Sequence, residues 1–143
     1  MRRAEHRFDG GPDGGNVRAI VAGHGDFADG MISAVVQIAG RDDVFVGVTN
    51  RDRSAQDVER ALRQAVEDSG ALVIFTDLPA GSCAMAARRL QRERPDLTVV
   101  TGANLAALID FVFHPDVPPA EAARHAAEKG REALASGGTP RGA

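Results

Sequence analysis

The sequence predicts a doubly wound, mainly parallel α/β sheet of four strands with helices on both faces, and three observations carry that prediction. Four short runs, 17–22, 44–49, 72–76 and 97–101, are rich in Val, Ile or Leu and almost continuously apolar, as strands buried on both faces of a parallel sheet are. Amphipathic stretches separate them, with Gly, Asp or Ser at the seams. Strand and helix alternate four times, and a strand–helix–strand crossover is right-handed almost without exception. The expected strand order is 2-1-3-4, with a C-terminal helix or edge segment completing the domain.

The helices follow from periodicity. The clearest covers 54–69, where Val58, Ala61, Leu62, Ala65 and Val66 form one apolar face, Ser54 is placed as N-cap and Gly70 as the stop. Stretches 31–39 and 84–92 are the first and third helices. Leu105, Leu108, Ile109 and Val112 mark the inner face of a fourth, opened near Asn104 and ended before Pro115. After Pro118-Pro119, residues 120–135 mix Ala with polar residues and read as a last helix. Residues 1–16 hold repeated Gly and mixed charges without a period and read as a disordered arm. The domain is expected over 17–136, with a flexible tail at 137–143.

Composition narrows the function classes. At 143 residues, 43% hydrophobic and 26% charged, the chain suits one domain. No run approaches the roughly 18 apolar residues of a membrane span, and the start has no apolar signal region, so a cytoplasmic protein is expected. A formal charge of −3 without a basic stripe argues against nucleic-acid binding. Cys83 is the single cysteine, which rules out an internal disulfide and a cysteine-based zinc cluster. The aromatics are six Phe, with no Trp or Tyr to serve as stacking platforms.

Ligands of an open parallel sheet bind beyond the carboxyl ends of the strands, where strand order reverses. The first strand ends in Gly23-His24-Gly25-Asp26, the third in Thr76-Asp77-Leu78-Pro79-Ala80-Gly81-Ser82. In the order 2-1-3-4 these two loops face each other. Glycine on both sides leaves the His24 imidazole uncrowded and open to another protein. A neutral imidazole has a lone pair free at pH 7 and attacks phosphorus without a separate base. Asp77 is placed to accept the hydrogen of the other ring nitrogen, as the carboxylate of a catalytic triad does. Ser82, Gly25 and Gly81, with the unpaired N–H groups that open the first and third helices, suit a phosphoryl group.

Other readings of these residues fail on spacing. A nucleophile elbow needs Gly on both sides of its Ser-containing turn, and here Ala80 and Ala84 occupy those places. The glycine after Gly23-His24-Gly25 is Gly30, too far for a dinucleotide fingerprint, and no Lys completes a phosphate-binding loop. His6 in the arm, His114 before Pro115 and His125 on the last helix read as solvated or packing residues.

Three segments together resemble the mannose-family IIA components of the bacterial phosphoenolpyruvate:sugar phosphotransferase system. They are Val21-Ala22-Gly23-His24-Gly25-Asp26-Phe27-Ala28-Asp29-Gly30-Met31, Phe75-Thr76-Asp77-Leu78-Pro79-Ala80-Gly81-Ser82 and Thr101-Gly102-Ala103-Asn104-Leu105, and Gly130-Arg131-Glu132 echoes a segment near the end of some members. The resemblance implies that His24 accepts a phosphoryl group from the phosphohistidine of the carrier HPr and donates it to a separate IIB protein, linked in turn to IIC and IID membrane components. It implies Asp77 as the orienting carboxylate, Ser82 as a phosphate contact, and a homodimer that exchanges a C-terminal strand. The region that would be exchanged, 132–136, has few β-branched residues and reads as helix or tail. No metal and no cofactor are expected, since such transfer rests on positioning and electrostatics. The chain departs from the family pattern at Ala80, Cys83 and Met85, in a loop expected to dock partners; Cys83 itself reads as a small packed thiol. A regulatory domain that modulates a partner without sugar transport would need the same site.

Overall fold

A computed structural model describes residues 17–138 of the chain. The expected arm, 1–16, and most of the expected tail lie outside the described residues. Nine elements follow one another: β1 (Ala19–Gly23), α1 (Phe27–Ala39), β2 (Phe45–Thr49), α2 (Ala55–Ser69), β3 (Val73–Thr76), α3 (Ser82–Glu93), β4 (Thr98–Val100), α4 (Leu105–Val112) and α5 (Pro119–Ala133). The sheet has the order β2-β1-β3-β4, and every pairing is parallel. The predicted fold class and strand order are what the chain adopts.

Alternation along the strands divides the core between the two faces. Ala19 and Val21 of β1, Phe45 of β2 and Val73 and Phe75 of β3 pack with α1, α4 and α5. Ile20, Ala22, Val46, Val48 and Ile74 point the other way, onto α2 and α3. On the first face Phe45, Phe75 and Phe111 form a triad with ring centroids 5.3 to 6.1 Å apart, two of the three contacts edge-on, the arrangement that aromatic quadrupoles favour. Arg18, just before β1, lays its guanidinium 4.5 Å from the centre of the Phe111 ring. It also donates to the carbonyls of Phe111 (3.2 Å) and Val117 (3.4 Å), which anchors the end of α4 at the amino ends of the strands.

Local sequence sets the helix ends. Ser54 caps α2, its hydroxyl accepting from the Asp57 N–H at 3.1 Å, and Gly70 closes that helix in a left-handed conformation. Asn104 caps α4 by accepting from the Ala107 N–H at 3.0 Å. The first helix departs from expectation: it begins at Phe27, four residues before Met31, and carries Gly30 inside it. Gly30 is exposed and looks like a breaker in the sequence, but the roughly 1 kcal/mol that a helical glycine costs is outweighed by burial of Ala28 and Ile32. The fourth strand is only Thr98–Val100 and half-buried throughout, because it is the sheet edge rather than an interior strand. Beyond α5, residues 134–138 are irregular.

Candidate functional site

The switch point lies between β1 and β3. Ala22 of β1 is in register with Thr76 of β3, so the next residues out, His24 and Asp77, emerge side by side at the carboxyl end of the sheet. Oδ2 of Asp77 accepts twice from His24, from the backbone N–H at 2.9 Å and from ring Nδ1 at 2.8 Å. The carboxylate is nearly buried, 12% exposed, while the imidazole is 50% exposed. Since Nδ1 must carry its hydrogen to donate to a carboxylate, Nε2 keeps its lone pair. Burial pushes the Asp77 carboxyl up, but the hydrogen bonds from His24 and the ring's charge outweigh that and hold it below the ordinary carboxylate range.

Glycine serves this pair differently from what the sequence suggests. At Gly23 a methyl group would fall 2.6 Å from the Phe27 ring and 2.9 Å from Asp77 Oδ2, so this glycine makes room for the carboxylate rather than for an incoming partner. Gly81 has φ of 107°, and a methyl there would lie 3.4 Å from His24 Cε1. Its bare backbone therefore forms one wall against the ring. Gly25 has φ of 52°, and a Cβ there would meet the Arg51 guanidinium at 3.3 Å.

Ser82 is the first residue of α3, half-buried, one position after Gly81. Neither α3 nor α1 has a side-chain cap, whereas α2 and α4 do. At the start of α1 the Phe27 N–H donates to the His24 carbonyl at 2.9 Å, and the first turn of α3, whose N-cap Gly81 lies against the His24 ring, has no capping side chain, an arrangement that attracts an anion. Of the three departures expected in one loop, only Ala80 lies in the β3–α3 loop, while Cys83 and Met85 fall in the first turn of α3; Ala80 and Met85 are exposed but Cys83 is 1% exposed and part of the core. Burial, with the Asp77 charge added, raises the Cys83 thiol. It is the packed thiol that its sequence context suggests, and it is no part of a docking surface.

A third loop completes the rim, and sequence reasoning missed it. Gly23 of β1 is in register with Thr49 of β2, which brings residues 50–53 alongside His24-Gly25. Thr49 Oγ1 donates to the Gly25 carbonyl at 2.8 Å and accepts from the Arg51 N–H at 3.1 Å. Arg51 pairs with Asp26 at 2.8 Å, and Arg53 donates to the Thr49 carbonyl at 2.9 Å. Two guanidinium groups thus stand at the end of the second strand, that of Arg51 against the Gly25-Asp26 turn that follows the histidine. The rule that led to His24, searching the carboxyl ends of strands, would have found them had it been applied to β2.

Fold and site together define a class: a parallel α/β domain presenting a carboxylate-held histidine at its topological switch point. The family model described as "PTS system fructose IIA component" matches residues 18–128, and the chain belongs to that family. Among solved structures it is similar to the mannose/sorbose-specific IIA subunit of the phosphotransferase system from Enterococcus faecalis, at TM-score 0.75 and 24% identity over 88% of this chain and 98% of that one. The phosphotransferase system component EIIA from Streptococcus agalactiae gives TM-score 0.75 and 26% identity, covering 84% of this chain and 96% of that one. A protein described as a phosphoenolpyruvate-dependent sugar phosphotransferase system permease, from Klebsiella pneumoniae, gives TM-score 0.74 and 24% identity, over 86% of this chain and 92% of that one. No curated protein matches by sequence. Among the described residues no helix is long and apolar enough to cross a membrane.

Proposed function

We propose that the protein is a phosphocarrier in which Nε2 of His24 takes a phosphoryl group from the phosphohistidine of HPr and passes it to a IIB partner for sugar uptake. The observation that carries this reading is the 2.8 Å contact between His24 Nδ1 and Asp77 Oδ2, which leaves the remaining lone pair on Nε2 of a ring that is half-exposed. In the forward step that lone pair forms a new N–P bond as the N–P bond to HPr breaks, and the electron pair returns to the imidazole of HPr. Positive charge grows on the His24 ring, and the Asp77 carboxylate, already ionised, offsets it without a proton leaving Nδ1. The dianionic group meets the Ser82 hydroxyl, the backbone at Gly25 and Gly81, and the uncapped first turns of α3 and α1. The second transfer, to IIB, reverses the same geometry. Leu78 and Met85, 51% and 52% exposed beside the site, give the partners an apolar rim.

Incubation with phosphoenolpyruvate, Enzyme I and HPr, followed by intact-mass measurement, tests the proposal. One acid-labile phosphoryl adduct is expected, absent from His24→Ala. Absence of any adduct with a competent cognate HPr would overturn it.

A further inference from the structure

We propose that Asp110, His114 and His125 form a binding site for a divalent transition-metal ion of the zinc class, separate from the phosphoryl site. The site lies at the other pole of the sheet. Arg18 ties the carbonyls of Phe111 and Val117 to the amino end of β1, whereas His24 follows the carboxyl end of that strand.

Two imidazoles and one carboxylate, drawn from α4, the loop after it and α5, each bring a ligand atom to within 4.8 Å of the others. His125 Nδ1 is 2.8 Å from Asp110 Oδ2, and His114 Nδ1 is 3.7 Å from Asp110 Oδ1 and 2.8 Å from the Asp110 carbonyl. The two rings touch, with centroids 4.7 Å apart. Tetrahedral zinc, with bonds of about 2.0 to 2.1 Å, wants its ligand atoms roughly 3.3 Å apart, so small rotations of half-buried side chains suffice. The ion takes the place of the hydrogens now held between His125 and the Asp110 carboxylate and between His114 and the Asp110 carbonyl; both rings change tautomer, their Nδ1 protons moving to Nε2 through solvent.

The donor set selects the metal. Magnesium and calcium prefer all-oxygen surroundings, while imidazole with carboxylate suits zinc, nickel, cobalt and copper. A cavity of about 120 Å³ opens beside the rings, lined by His114, His125, Val117, Glu121, Arg124 and Glu128. It leaves room for a water or one of the two glutamates at the remaining coordination position. Bound there, the ion would clamp the end of α4 and the His114–Val117 turn onto α5, a structural role that does not depend on the phosphocarrier reading.

The test is calorimetric titration of the full chain, free of any histidine tag and stripped with a chelator, with zinc chloride and separately with magnesium chloride. One equivalent of zinc and no magnesium are expected to bind. His125→Gln, at a half-exposed position that spares the fold, and Asp110→Asn should each weaken zinc binding roughly 100-fold, at least the loss that follows removal of a group supporting a ligand. His24→Ala should bind as the parent does, and zinc should raise the melting temperature of the parent but not of His125→Gln. No zinc binding, unchanged affinity in a His125→Gln chain with native circular dichroism, or loss of binding in His24→Ala would each overturn the proposal.

Discussion

One oxygen of Asp77 holds His24 at two points, accepting from its backbone N–H at 2.9 Å and from its ring at 2.8 Å. The backbone bond fixes where the residue sits; the ring bond fixes which nitrogen is free.

Asp77→Asn removes the charge behind both bonds. The amide is isosteric, and because a single oxygen takes both bonds, the amide oxygen in that place still accepts from the backbone and from Nδ1 but no longer carries the charge that offsets the imidazolium forming on the ring. Single-turnover transfer from phospho-HPr should slow by about 10² to 10⁴-fold, the scale seen when a triad carboxylate is neutralised, with the far-ultraviolet circular dichroism unchanged. An unaltered rate would show that the charge of the carboxylate does not serve the transfer.

The same pair makes stability depend on pH. Because the folded Asp77 carboxyl titrates below its unfolded value of about 3.9, its ionised form contributes stability above that pH. The contribution is lost as pH falls through the lower, folded value. Urea midpoints of the parent and Asp77→Asn should therefore lie furthest apart near neutrality and converge below about pH 4. A gap that stays constant from pH 7 to pH 3 would contradict the assignment.

Gly23→Ala tests the packing beneath the site. A Cβ 2.6 Å from the Phe27 ring and 2.9 Å from Asp77 Oδ2 forces both groups away. The expected cost is about 1 to 3 kcal/mol, as for overpacking elsewhere, read as a lower urea midpoint, together with slower phosphoryl acceptance because the carboxylate is displaced from the ring.

Arg51→Ala should show the opposite balance. Its pair with Asp26 is exposed on both sides, 54% and 80%, and such pairs contribute about 0 to 1 kcal/mol, so the melting temperature should hardly change. A dianionic phosphoryl group on His24 is a stronger partner for the guanidinium than Asp26, and transfer should fall by roughly tenfold, the equivalent of about 1.4 kcal/mol in the barrier. Equal rates in variant and parent would place Arg51 outside the reaction.

Much of this architecture was legible in the residues because its causes are local. Apolar runs near 17–22, 44–49 and 72–76 could only be buried strands, and once β1 and β3 are neighbours, His24 and Asp77 must meet. What escaped depends on relationships across the fold. The early start of α1 was hidden because Gly30 reads as a breaker, and only the burial of Ala28 and Ile32 overrides it. Arg51 and Arg53 look like any solvated charged turn until the β1–β2 register places them beside Gly25. Asp110 and His114 share a helical face by spacing alone, but nothing in the sequence reports that His125, eleven residues on and past three prolines, returns to the same place.

Asn104 carries a consequence for anyone trimming this chain. Its oxygen caps α4, and its Nδ2 donates to the Gly130 carbonyl at 2.9 Å, across 26 residues. Ala122, Ala123 and Ala126 of the same terminal helix are fully buried against the rest. A fragment stopped at residue 128, where the family match ends, would cut α5 inside its last turns and leave that amide without its acceptor. The practical C-terminal border for expression therefore lies after Ala133, not at the edge of sequence similarity.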